Sequence, residues 1–97
     1  MFRFAIDLFE TGQLAEAESA CRKMTLAYPQ AAEAMHLAGL VAMKQGNGDI
    51  AAERMGRAAI ADANNAEIQH DHAQALKAVG KLREAVGAFK RAIRLCP

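Results

Sequence analysis

Residues Gly80–Phe89 read G-K-L-R-E-A-V-G-A-F, and two earlier stretches share the wording: G-Q-L-A-E-A-E-S-A-C at Gly12–Cys21 and G-N-G-D-I-A-A-E-R-M at Gly46–Met55. Their first glycines are spaced 34 residues apart, as are Ala17, Ala51 and Ala85. The bulkier Cys21, Met55 and Phe89 keep the same interval, and Pro29, Ala63 and Pro97 close three units in register. A fixed period of this length marks stacked supersecondary units. The chain therefore divides into units 1–31, 32–65 and 66–97 of a single domain.

Each unit reads as two helices joined by a tight turn. Glycine reaches the left-handed region without a Cβ penalty, so Gly12, Gly46 and Gly80 end the first helices. In the third unit Leu82, Ala85, Val86, Phe89, Ala92 and Ile93 fall at offsets 0, 3, 4, 7, 10 and 11, one apolar helical stripe. Pro29 stops the second helix of the first unit, and Asn64-Asn65 take that role in the second. The spacing predicts six helices with breaks near Gly12, Pro29, Gly46, Asn64 and Gly80. Composition agrees: apolar residues make up 53% with alanine dominant, aromatics only 5%, and there are two prolines, which favours an all-α chain.

The formal charge is +1, from 12 basic and 11 acidic side chains, too balanced for a nucleic-acid or anionic-membrane binder. The thirds carry −1, −1 and +3, and the basic excess gathers at Lys77, Lys81, Arg83, Lys90, Arg91 and Arg94, which reads as a solvated helix face. No run approaches the roughly 18 apolar residues of a membrane span. Asp7 and Glu10 interrupt the place where a signal peptide needs its apolar stretch. The expectation is a soluble, cytoplasmic chain, and the close at R-L-C-P reads as part of something longer.

The register resembles the tetratricopeptide repeat, W-x2-L-G-x2-Y followed by A-x3-F and a closing P. The resemblance spans the whole chain. Its second-helix half is met by Ala17 with Cys21, Ala51 with Met55 and Ala85 with Phe89. Its first-helix half is degenerate: Met35, Ala38, Gly39 and Ala42 in the second unit, and Gln69, His72, Ala73 and Leu76 in the third, where two usually apolar places are polar. The resemblance implies a right-handed superhelical array of antiparallel helix pairs, with first helices lining a concave groove that binds peptides or helices. It implies no cofactor and no catalysis. The wording looks like that of bacterial arrays, in which such repeats often precede a glycosyltransferase or sulfotransferase domain.

By the same resemblance the groove residues are Phe2, Ile6 and Phe9 in the first unit, Glu33, His36, Leu40 and Met43 in the second, and Glu67, His70, Gln74 and Lys77 in the third. The stripe runs from apolar to polar. The lysine, asparagine and arginine set of relatives that clamp acidic chaperone tails is absent apart from Lys77. Asparagine-ladder relatives need asparagine where this chain has Leu37 and Asp71. Neither groove chemistry carries over.

The stretch Gln69-His70-Asp71-His72 invites a metal reading, but helix residues two apart point about 200° from each other, so His70 and His72 cannot share an ion. No cysteine or carboxylate cluster is visible that completes a four-ligand shell, and no metal site is expected. His36 and His70 hold equivalent groove places, while His72 takes a core place with one ring nitrogen expected to be satisfied. Ser19 has no histidine at helical spacing, so nucleophilic catalysis finds no support. Cys21 and Cys96 fit apolar or helix-end places two repeats apart, too far for a disulfide. No glycine-rich loop follows a strand, which excludes the nucleotide motifs.

These readings converge on a protein-interaction module that takes a peptide, an amphipathic helix or a second copy of itself. The alternative is a non-catalytic segment that positions or dimerises a downstream enzyme. Two further expectations follow: Phe89→Ala costs more stability than Met43→Ala, and apolar surface in the groove or at Val86 and Ile93 drives association.

Overall fold

In the computed structural model, which describes residues 2–96, the chain forms six helices. They are α1 (Phe2–Glu10), α2 (Leu14–Ala27), α3 (Ala32–Lys44), α4 (Gly48–Ala61), α5 (Ala66–Ala78) and α6 (Leu82–Leu95). Pro97 lies outside the described residues. The expected breaks are all present.

The turn within each pair is built the same way. Gly46 sits at φ +81°, Gly12 at +80° and Gly80 at +83°. Around Gly46 the Asn47 amide donates to Ala42 O at 2.8 Å and the Gly46 amide to Met43 O at 3.1 Å. This pair of bonds satisfies carbonyls that the end of α3 would leave orphaned. The Asn64-Asn65 break works otherwise than expected. Helix α4 ends at Ala61, and Asn65 caps the start of α5, its Oδ1 accepting from the Ile68 amide at 3.1 Å. Asparagine has a short side chain that reaches the free amides of the next helix, so it begins an element rather than ending one.

Each helix packs on the next along the chain, and α1 also touches α3. The interior is mostly alanine, with Met55, Ile68, Val41 and Cys21 the largest fully buried side chains. Small residues let the helices approach closely: a Cβ added at Gly39 would stand 2.6 Å from Met55 Cγ. At the place shared by Cys21, Met55 and Phe89 the first two are buried, whereas Phe89 is only half-buried because no described helix covers the outer side of α6. Leu82, Val86 and Ile93 are more than half exposed there. The residues 34 places earlier, Gly48, Ala52 and Ala59, lie in the α4 face on which α5 packs.

Polar groups also tie the pairs together. Arg54 of α4 donates to both carboxylate oxygens of Glu18 on α2, each at 2.7 Å, and to the Ala38 carbonyl of α3 at 3.0 Å. Its hydrogen bond and charge hold the Glu18 carboxyl below its ordinary value against the opposing effect of burial. Gln69, in a usually apolar place, is buried and satisfied, donating to Ala63 O at 3.1 Å and accepting from Arg91 Nε at 3.3 Å. His72 corrects the expectation made for it. Its Nδ1 is buried with no hydrogen-bond partner among the described residues. The ring packs against Gly56, where a Cβ would lie 3.2 Å from Nε2. Burial first, and then the charge of Arg91, hold its pKa below the ordinary 6.5, with Glu84 partly opposing.

Candidate functional site

The first helices α1, α3 and α5 lie side by side on one face. Phe2, Ile6, Phe9, Leu40, Glu33, His36 and Glu67 come together around an open cleft of about 390 Å³, with Glu10, Leu37, Asn65 and Ile68 completing its wall. Phe2 and Glu33 also border an adjoining depression of about 380 Å³, lined further by Met24, Ala27 and Tyr28. The other four residues lie apart from the cleft. Met43 is half-buried against the core between α4 and α5. His70 presents its ring edge-on to Phe89, with centroids 5.7 Å apart. Gln74 and Lys77 are exposed further along α5.

Why the apolar members remain at the surface follows from register. Phe2, Ile6, Phe9 and Leu40 rest their inner sides on the cluster around Leu8, Cys21 and Leu37. Their outer sides have no further layer above them, and all four are partly exposed. The rim is acidic. Glu10, Glu33 and Glu67 line the cleft without a lysine or arginine among its lining residues. Low-dielectric walls bearing one sign of charge concentrate that field.

A residue the spacing did not single out organises the rim. Asp71 of α5 meets His36 of α3, Nε2 to Oδ2, at 2.6 Å, and its other oxygen lies 3.5 Å from His70 Nδ1. Burial pushes the Asp71 carboxyl up, but the bonds and charges of His36 and His70 outweigh it, so the group sits below its ordinary value. An ionised carboxylate only accepts, so His36 donates from Nε2. His36 and Asp71 are 35 apart, one step past the repeat interval. That offset was the signal that could have paired them across neighbouring first helices. Glu18 and Arg54, 36 apart, follow the same logic on the other side.

The remaining reactive groups are scattered. Ser19 is exposed on α2, while the histidines lie on α3 and α5. Cys21 is buried and Cys96 exposed, both free, and burial raises the Cys21 thiol to about 11. Among the described residues, no helix is long and apolar enough to cross a membrane.

No protein-family model and no curated protein matches this chain. Solved structures do. The Thermobaculum terrenum O-GlcNAc transferase mutant K341M is 27% identical with a TM-score of 0.91, over 99% of this chain and 18% of that one. The Yersinia enterocolitica type III secretion chaperone SycD, in complex with a peptide of the translocator YopD, is 18% identical with a TM-score of 0.92, over 98% of this chain and 72% of that one. MamA RS-1 gives 19% identity and a TM-score of 0.92, over 97% and 53%. The fold is that of a tetratricopeptide-repeat array. The chain spans 18% of the transferase and 65% of SycD solved without the peptide, so it corresponds to a part of each. The likeness to SycD and MamA is one of fold.

Proposed function

We propose that this tetratricopeptide-type array is a protein-interaction module. Its cleft takes an amphipathic helix or extended segment bearing apolar side chains flanked by lysine or arginine. The observation that carries this reading is the pairing of Phe2, Ile6, Phe9 and Leu40 with a rim of Glu10, Glu33 and Glu67. Partly exposed apolar side chains gathered in a concavity are the usual anchor for a helix in a groove. An acidic rim sets the charge of the partner and speeds its encounter. SycD, which has the same fold, holds a peptide of YopD.

The test is a fluorescence-anisotropy titration with two designed amphipathic peptides of equal apolar face, one with lysine and one with glutamate on its polar side. The lysine peptide is expected to bind at least about tenfold tighter at low salt and to lose that advantage as salt rises. Leu40→Glu should abolish binding of both. Equal affinities, or binding that survives Leu40→Glu, would overturn the reading.

A second reading has an observation of its own. The 27% identity to the O-GlcNAc transferase extends over 99% of this chain. On that reading the array is a non-catalytic segment that positions or dimerises an attached glycosyltransferase- or sulfotransferase-type enzyme. The adjoining genomic reading frame decides it: a transferase domain encoded in frame supports the attachment, and an unrelated or absent one removes it.

A further inference from the structure

His36, Glu67 and Asp71 each bring one donor atom within 4.8 Å of the other two. They come from two helices. Glu67 and Asp71 are four residues apart and share one face of α5, and His36 reaches them from α3. We propose that this trio is a binding site for a divalent transition metal, with zinc the ion that fits its donors best.

The geometry is close to what such an ion requires. Bonds of about 2.0–2.2 Å to imidazole nitrogen and carboxylate oxygen place neighbouring donors roughly 3.0–3.5 Å apart. His36 Nε2 and Asp71 Oδ2 start at 2.6 Å, so inserting the ion parts them by less than 1 Å and displaces the Nε2 proton, which a neutral ring takes back at Nδ1 and a charged ring gives up to solvent. Glu67 is exposed and completes the set by rotating its side chain. The helices that carry the three are fixed beneath them by Leu37 and Ile68, both buried. The imidazole excludes magnesium and calcium as preferred ions, since these take oxygen ligands.

Charge supplies a second, independent reason. Two carboxylates stand close to a single imidazole, and Glu33 and Glu10 share the cleft with His36 and Glu67 without a lysine or arginine in its lining. Glu67 forms no ion pair among the described residues, so its charge is left uncompensated, unlike that of Asp71. Three protein donors leave at least one coordination position facing the cleft, where water or a side chain of a bound segment fills it. The site goes beyond the docking reading and is tested without any peptide.

The probe is zinc chloride alone, titrated by calorimetry into chelator-treated protein carrying Cys96→Ser, which removes the exposed thiol as a competing ligand. One zinc per chain is expected, with a higher thermal midpoint in its presence. Glu67→Gln should lower the midpoint in chelator only slightly, because Glu67 makes no ion pair among the described residues and loses only its favourable place in the first turn of α5, yet weaken zinc binding at least about tenfold. His36→Gln should abolish it, and cobalt loaded in place of zinc should give d–d bands without thiolate charge transfer. No saturable binding at one per chain, or zinc affinity unaltered by Glu67→Gln, would overturn the proposal.

Discussion

At the scale of single side chains, His72 and the Glu18–Arg54 pair act on stability in opposite senses. His72 carries a buried nitrogen without a partner, and replacing a buried unsatisfied group with an apolar one of similar shape removes a cost of about 1–3 kcal/mol. His72→Leu is therefore expected to raise the thermal midpoint. The pH dependence has a definite sign. Below the ordinary value of 6.5 the unfolded chain takes up a proton that the folded chain, with its lowered pKa, refuses. Stability therefore falls as pH drops through 6.5 toward the folded value, and His72→Leu should flatten that slope in urea midpoints taken from pH 7 to pH 5. The Glu18–Arg54 pair makes a contrast with Glu53–Arg57. The first has side chains 17% and 27% exposed and the second 67% and 66%. Arg54→Ala is expected to cost about 1–3 kcal/mol, since it strips a partly buried carboxylate of a bidentate partner. Arg57→Ala should cost less than about 0.5 kcal/mol. Equal denaturation midpoints for the two variants would contradict this ranking.

At the scale of helices and turns the period is what made the fold readable. Six helices, five breaks and the three positive-φ glycines follow from a 34-residue interval and need no tertiary information. Gly46→Ala meets no steric obstacle, with nothing within 4 Å of the added Cβ. Its expected cost of about 1–2 kcal/mol comes from the left-handed backbone alone, and Gly46→Asn should cost less. Burial was less legible. Phe89 is the largest side chain at its place, yet Cys21 and Met55 are the buried ones, because what decides burial is the next helix along and not the residue itself. Met55→Ala is accordingly expected to cost about 2–5 kcal/mol, and Phe89→Ala less, by urea denaturation. Register brought seven of the eleven expected groove residues around one cleft and left Met43, His70, Gln74 and Lys77 outside it, and it did not give the chemistry that gathers beside them. His36, Glu67 and Asp71 are ordinary surface residues along each helix and become a cluster only when α3 lies beside α5. Asn65 was misassigned for a related reason: its composition says turn, while only the hydrogen bond says which helix it serves.

At the scale of the whole molecule, the apolar surfaces left open among the described residues include the cleft and the outer stripe of α6 with Leu82, Val86 and Ile93. Covering a few hundred Å² at about 25 cal/mol per Å² contributes several kcal/mol, and association costs are of similar size. Self-association in the micromolar range is the expected outcome for this 97-residue chain, measured by light scattering across concentration. Ile93→Glu disperses it when the outer stripe is the contact, and Phe9→Glu with Leu40→Glu when the cleft is. A chain that stays monomeric at hundreds of micromolar contradicts both.

The way helix α1 is held has a consequence for kinetics. Its nine residues touch α2 and, more lightly, α3, whereas α3 and α5 are each packed between helices before and after them. Among the described helices α1 and α6 stand at the ends of the stack, where opening begins, and α1 is the shorter and more lightly packed of the two. Phe2, Ile6 and Phe9, the apolar wall of the cleft, therefore stand on the segment that unlatches first. Amide exchange along residues 2–10 should be the fastest of any helix in the free protein and slow most when the cleft is filled. Some of a partner's affinity is then spent on closing α1, and a segment long enough to span α1 and α3 gains over a shorter one by holding that latch shut.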